Sequence, residues 1–156
     1  RKSCLVGIPN MTDRSPKKKN WQPRAIGYGK LLHPKKKYYS AFVTRPDSAP
    51  WIAREDYFDK IESLWDGQRV TLLSCLERSL TPSLMTSAMK IDVVVCARRD
   101  AYAVIDDLEK KLADAGNTRI IMCAGATATC LAHRMAENFH AVDMGHIGMY
   151  WRRTDL

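Results

Sequence analysis

No stretch of this chain approaches the roughly 20 consecutive apolar residues that a membrane-spanning helix needs. No charged-then-apolar leader precedes the first strand either, so the expected setting is the cytoplasm. The five cysteines are odd in number and lack CxxC spacing, which argues against both a disulfide framework and a zinc ribbon. Cys4, Cys75, Cys96, Cys123 and Cys130 lie mostly within apolar segments and read as buried free thiols. Also missing are a GxGxxG fingerprint, a Walker A lysine motif and a GxSxG elbow. A standard NAD site, P-loop hydrolysis and a serine nucleophile at a strand-to-helix turn are therefore not expected. No internal repeat is visible.

What is there suits one domain over residues 1–156 with a proper core: 156 residues, 46% apolar and 27% charged. A formal charge of +8 points to a polyanionic partner or an anionic ligand without identifying it.

In chain order, Cys4–Ile8 reads as a strand stopped by Pro9-Asn10. From Met11 to Lys37 the apolar pattern is lost, and residues 11–37 read as a long basic loop carrying Lys17, Lys18, Lys19, Trp21, Lys35, Lys36 and Lys37. Basic residues interleaved with Trp21, Tyr28 and Tyr38 can track a sugar-phosphate backbone while aromatics stack on bases; a solvated flexible loop is the other reading. Tyr38–Val43 is strand-like and ends at Thr44-Arg45-Pro46. A helix follows from about Ala53 to Trp65, with Tyr57, Phe58, Ile61, Leu64 and Trp65 as its buried stripe and Asp66-Gly67 as its stop. Val70–Leu73 is the next strand, leading into a polar loop, Ser74 to Pro82. There Arg78 with the hydroxyls of Ser79 and Thr81 can bind an anion, or Thr81 caps a helix begun by Pro82. Ile91–Cys96 is a strand, followed by Arg98-Arg99. Asp100 is a plausible cap for a helix whose face is Ala101, Val104, Ile105, Leu108 and Leu112, stopped by Gly116.

Arg119–Cys123 is a short apolar run, as in a strand buried on both faces of a parallel sheet. Ala124 to Thr127 turn the chain, with Gly125 able to take positive φ. Ala128, Leu131, Ala132, Met135 and Phe139 then follow at helical spacing, Ala141-Val142 opens another strand, and Asp143 to His146 leave it. Strands alternating with helices predict an α/β, three-layer Rossmann-like fold with a mostly parallel sheet. In such a sheet Arg45, Glu77-Arg78-Ser79, Arg98-Arg99, Gly125-Ala126-Thr127 and Asp143 to His146 converge on one edge, where cations, hydroxyls and a helix N-terminus suit a diphosphate. Arg45 is open to two readings, a bidentate phosphate grip or a structural salt bridge. His133 and His140 read as surface or core residues; His146, in a glycine-flanked loop at a strand end, is a functional candidate.

Four separated blocks make the chain recognisable: Cys4-Leu5-Val6-Gly7-Ile8-Pro9, Tyr39-Ser40-Ala41-Phe42-Val43-Thr44-Arg45-Pro46, Gly125-Ala126-Thr127-Ala128-Thr129 and Ala141-Val142-Asp143-Met144-Gly145-His146-Ile147. In order and interval they resemble the GT-D glycosyltransferases, a family first catalogued as a domain of unknown function. The resemblance covers nearly all of the chain except the basic loop. It implies a Rossmann-like domain that transfers a sugar from a nucleotide-sugar donor of the UDP-sugar type, commonly with a divalent metal, Mn²⁺ or Mg²⁺. By position it places Arg45, Arg78, Ser79, Gly125, Ala126, Thr127, Asp143 and His146 at the donor site, with Asp143, His146 and Glu77 as catalytic candidates. Ala126 replaces the proline of the usual Gly-Pro-Thr-Ala-Thr turn. The family's metal-binding Asp-x-Glu lies upstream of the Leu-Val-Gly-Ile-Pro strand, where this numbering begins, so no metal ligand is identifiable. Either that segment precedes Arg1, or the chain is a shortened relative, phage or bacterial, in which Arg78 and lysines must take the metal's role.

The leading expectation is a glycosyltransferase whose acceptor is a glycan, a glycoprotein or a modified DNA base. Lys17–Lys19, Trp21 and Lys35–Lys37 are the residues expected to meet an acceptor or polyanion. The rival expectation is a non-enzymatic Rossmann-like module that binds nucleic acid or a protein through the basic loop, with salt-sensitive affinity.

Overall fold

The computed structural model describes residues 4–8, 25–41, 43–46, 54–76 and 79–151. Two compact units make up the chain: Leu5–Val43, and Arg1–Cys4 together with Thr44–Leu156.

In the smaller unit, β1 (Gly7–Ile8) and β2 (Tyr39–Ser40) pair in parallel, Gly7 opposite Tyr39. Both strands are shorter than the apolar runs suggest. Between them α1 (Ala25–Leu31) corrects the expectation of an unbroken loop over 11–37. Gly27 and Gly29 hide this helix from the sequence, because each glycine lowers helix propensity by about 1 kcal/mol relative to alanine.

The larger unit is built on a four-stranded parallel sheet: β3 (Arg69–Ser74), β4 (Lys90–Val95), β5 (Arg119–Cys123) and β6 (His140–Asp143), in the order β4-β3-β5-β6. The two central strands are those with unbroken apolar runs, and the alternation of their side chains defines two cores. Val70, Leu72, Ile121 and Cys123 face one side and pack with Tyr57, Ile61 and Trp65 from α2 (Arg54–Glu62) and the turn after it, and with Ile147 of α5 (Ile147–Trp151). Leu73, Ile120 and Met122 face the other side, against Ile105, Leu108 and Leu112 of α3 (Ile105–Asp114) and Ala128, Leu131 and Met135 of α4 (Ala126–Met135). Helices thus cover both faces of the sheet, the expected three layers. Each fully buried Leu or Ile on these strands contributes roughly 1.5–3 kcal/mol.

Other expectations change in detail. Asp100 does not cap through its side chain; it adopts the left-handed conformation, φ 58°, and opens a 3-10 turn over Ala101–Val104. That tighter winding rotates Val104 out to 48% exposure, off the expected apolar face. Thr81 precedes only a 3-10 turn, Pro82–Leu84, and makes no cap bond; its hydroxyl meets Ser83 Oγ at 2.9 Å. Gly116, at φ 73°, ends α3 as expected. Cys96 and Cys123 are buried, whereas Cys130 is exposed on α4.

The winding positions the site. From β3 the chain steps outward to β4, crosses back over β3 to β5, and continues to β6. The direction reverses between β3 and β5, and the carboxyl ends beyond this switch point are the usual ligand position in open parallel sheets.

Candidate functional site

The first loop at this carboxyl edge is the one after β3. Buried Ser74 closes it from below: its hydroxyl donates to Leu80 O at 2.7 Å and accepts from Leu76 N at 3.0 Å. Leu76 sits at φ 61°, a left-handed conformation that costs a non-glycine residue of order 1–3 kcal/mol and persists only where surroundings enforce it. Ser79 Oγ then donates to Cys123 O at 3.2 Å and so ties the loop to the end of β5. Helix α5 lies directly on this loop. A Cβ added to Gly148 would fall 2.4 Å from the Ser79 carbonyl and 2.5 Å from Leu80 N, so only glycine allows the approach.

After neighbouring β5, Gly125 takes φ 57° and α4 begins. Ala128 N already bonds Gly125 O at 3.0 Å, and helix geometry leaves the amides of Ala126 and Thr127 without intrahelical acceptors. The turn is anchored by buried Thr127, and Gly125 and Ala126 are open to solvent.

The third loop at this edge is the turn after β6. Asp143 Oδ2 accepts from Thr129 Oγ1 at 2.6 Å and Oδ1 accepts from Gly145 N at 2.9 Å. Its carboxylate therefore pins the β6 turn to the first turns of α4. Gly145 is at φ 52°, and a Cβ there would approach the hydroxyl of buried Thr44 to 3.1 Å. That contact brings the Thr44-Arg45 segment beside the turn. The Arg45 guanidinium lies 5.4 Å from the centroid of the Tyr150 ring on α5, a cation–π distance. His146 is exposed at the head of the turn.

Ser79, Gly125, Ala126, Thr127, Asp143 and His146 thus lie on three loops at one edge, and the Thr44-Arg45 segment is a fourth, carrying Arg45. Glu77, Arg78, Lys17, Lys18, Lys19 and Trp21 lie outside the described residues. Lys35, Lys36 and Lys37 are exposed on the smaller unit, Lys37 Nζ standing 5.2 Å over the Tyr39 ring. The expected anion-binding pair of hydroxyls is not assembled as drawn: Ser79 is 4% exposed and committed to Cys123 O, and Thr81 is engaged with Ser83. Cys123 is no nucleophile here, because burial pushes its thiol up to about 11. Among the described residues no three His, Cys, Asp or Glu side chains come together to hold a metal, and both Asp143 oxygens are already engaged. These described residues do not fit a divalent ion.

Sequence reasoning missed Thr44, Gly148 and Tyr150 as members of the site. Thr44 and Thr129 carried a signal only as members of the Tyr39-to-Pro46 and Gly125-to-Thr129 blocks. The others act through packing that no local pattern encodes.

The larger unit is a parallel α/β sheet with polar and glycine-bearing loops gathered at its switch point. Residues 7–152 match the family described as Glycosyltransferase GT-D fold, and the chain belongs to that family. It is 28% identical over 120 residues to the probable glycosyl transferase Gly of Streptococcus gordonii, across 70% of this chain and 17% of that protein. Among solved structures it resembles the domain of unknown function 1792 described as having a distinct glycosyltransferase fold, with a TM-score of 0.75 and 25% identity over 94% of this chain and 58% of that one. A structure described as a new glycosyltransferase from Streptococcus sanguinis matches with the same score and identity, over 60% of its length. The chain therefore spans 17% of the streptococcal protein and under two thirds of these structures. Among the described residues no helix is long and apolar enough to cross a membrane.

Proposed function

We propose that this chain transfers a sugar from a nucleotide-sugar donor of the UDP-sugar type to an acceptor hydroxyl or amine. The observation that carries the reading is the gathering of Arg45, the α4 N-terminus and the Asp143–His146 turn at the β3/β5 switch point of a GT-D-family chain. In the reaction the acceptor atom bonds to the anomeric carbon, the bond from that carbon to the diphosphate oxygen breaks, and its electron pair leaves with the diphosphate. In this reading the α4 N-terminal amides of Ala126 and Thr127 hold a diphosphate oxygen, and the Arg45 guanidinium, over the Tyr150 ring, supplies positive charge on the same edge. Asp143 holds the turn; exposed His146 is the group in that loop able to accept the acceptor's proton. Glu77 and Arg78 belong by sequence to the Ser74–Pro82 loop and complete the candidate set. A divalent ion, Mn²⁺ or Mg²⁺, would require ligands beyond the described residues.

A charge of +8 and the exposed Lys35–Lys37 favour a polyanionic acceptor such as DNA carrying a modified base; a glycan or glycoprotein is the alternative. The test is transfer by the full natural protein from radiolabelled UDP-glucose, with and without Mn²⁺, offered single-stranded DNA with hydroxymethylated bases or an oligosaccharide. Label on either acceptor supports transferase chemistry and identifies the acceptor class. Salt-sensitive DNA binding with neither transfer nor donor hydrolysis would instead establish the non-enzymatic module.

A further inference from the structure

The sheet's opposite edge carries a cavity of about 470 Å³ that the donor site does not use. It opens where β3, β4 and β5 begin, and its polar groups are held in place. Buried Asn117 donates from Nδ2 to Thr71 Oγ1 at 3.0 Å and to Asp92 Oδ2 at 2.8 Å. Lys90 Nζ meets Asp92 Oδ1 at 2.8 Å. Lys90 and then Asn117 hold the Asp92 carboxyl below its ordinary range, so it is charged at neutral pH. On the rim, the Gln68 side-chain amide has no hydrogen-bond partner among the described residues, and the exposed Arg69 guanidinium adds its charge to that of Lys90 in lowering Asp92. The walls are low. Gly67 and Gly116 stand at positive φ with nothing within 4 Å of where a Cβ would be, and Met89, 70% exposed, adds an apolar surface.

We propose that this amino-edge pocket binds a neutral hexose unit of a glycan. Planar amide, carboxylate and guanidinium groups alternate donors with acceptors, which is what vicinal hydroxyls require, and both signs of charge are present. An anion fits less well, because Lys90 is already neutralised by Asp92 and only Arg69 is left. The C–H face of a sugar ring lies on Met89 and the bare glycine backbones. The volume is within the range of about 300–1,000 Å³ usual for small-molecule sites. Because the pocket and the strand carboxyl ends are opposite edges of one sheet, a glycan can dock here whether or not the donor site is filled.

Amide NMR of the full chain tests this, using methyl glucoside, methyl galactoside and methyl N-acetylglucosaminide as probes. Saturable shifts are expected at the Gly67 and Gly116 amides and the Asn117 side-chain amide, with Gly125 and Gly145 unmoved. Arg69→Ala and Met89→Asp, both at exposed positions, should each weaken sugar binding about tenfold or more and leave UDP-induced shifts at Gly125 unchanged. No saturable shift with any of the sugars at tens of millimolar overturns the proposal. So does equal affinity in both variants, or a response to inorganic phosphate alone. Loss of UDP binding at Gly125 with the sugar response intact would count against the donor reading and not against this one.

Discussion

Gly148→Ala is the most informative single substitution in this molecule. The added methyl would lie 2.4 Å from the Ser79 carbonyl carbon and oxygen and 2.5 Å from Leu80 N. These are backbone atoms, and the same loop is fixed by the Ser74–Leu80 and Ser79–Cys123 bonds, so no flexible side chain can yield. Either α5 lifts from the loop or the loop leaves β5. Overpacking of this kind costs about 1–3 kcal/mol, and the rigid neighbours place Gly148→Ala at the upper end. For a chain of this size that is a fall in Tm of about 4–12 °C. The matched control is Gly27→Ala in α1, where nothing lies within 4 Å of the new Cβ; there the same methyl should raise helix stability by about 0.5–1 kcal/mol. Urea unfolding of the full chain, with UDP titration of each variant, separates the outcomes. If Gly148→Ala unfolds within about 0.5 kcal/mol of the parent, near the scatter of ordinary surface substitutions, and binds UDP equally, the packing of α5 on the β3 loop is wrong.

Three further outcomes follow from the same contacts. Thr129→Val removes the 2.6 Å bond to Asp143; it should cost about 0.5–1.5 kcal/mol and weaken UDP binding, while Thr129→Ser restores both in the same titration. Timed alkylation with mass spectrometry at neutral pH should label exposed Cys130 quickly and spare Cys123, whose thiol is buried and raised to about 11; rapid labelling of Cys123 in the folded protein would contradict its burial. Asp92 titrates below its ordinary 3.8 because of Lys90 and Asn117. Its contribution to stability is therefore present above that value and lost as pH falls through the lower folded value. The stability gap between Asp92→Asn and the parent should narrow as pH drops below 3.8, and a gap constant down to acid unfolding would refute the pairing.

Much of the fold was legible because the central strands are short unbroken apolar runs and the helices show clear apolar faces. Val70–Leu73, Arg119–Cys123 and the stripe of Tyr57, Ile61 and Trp65 are set by burial alone. The elements that escaped are those where propensity and structure disagree. Helix α1 carries two glycines, and α5 is a five-residue turn of Ile, Gly, Met, Tyr and Trp with no periodicity to read. Within the site, Gly125, Asp143 and His146 announced themselves as polar or glycine positions at strand ends. The commitment of Ser79 to Cys123 and of Asp143 to Thr129 did not, because both are long-range hydrogen bonds. The amino-edge pocket was invisible for the same reason: Thr71, Asp92 and Asn117 belong to three separate segments and meet only in the folded sheet.

The central claim, that the β3/β5 switch point holds a nucleotide-sugar diphosphate, is tested most directly by amide NMR of the full natural protein titrated with UDP-glucose, alongside its thermal unfolding. The account predicts saturable shifts centred on Gly125, Ala126, Thr127 and Gly145, with stabilisation of about 2.7 kcal/mol at a hundredfold excess over Kd. No binding at millimolar donor, with and without Mn²⁺, or shifts confined to other parts of the chain, would contradict it.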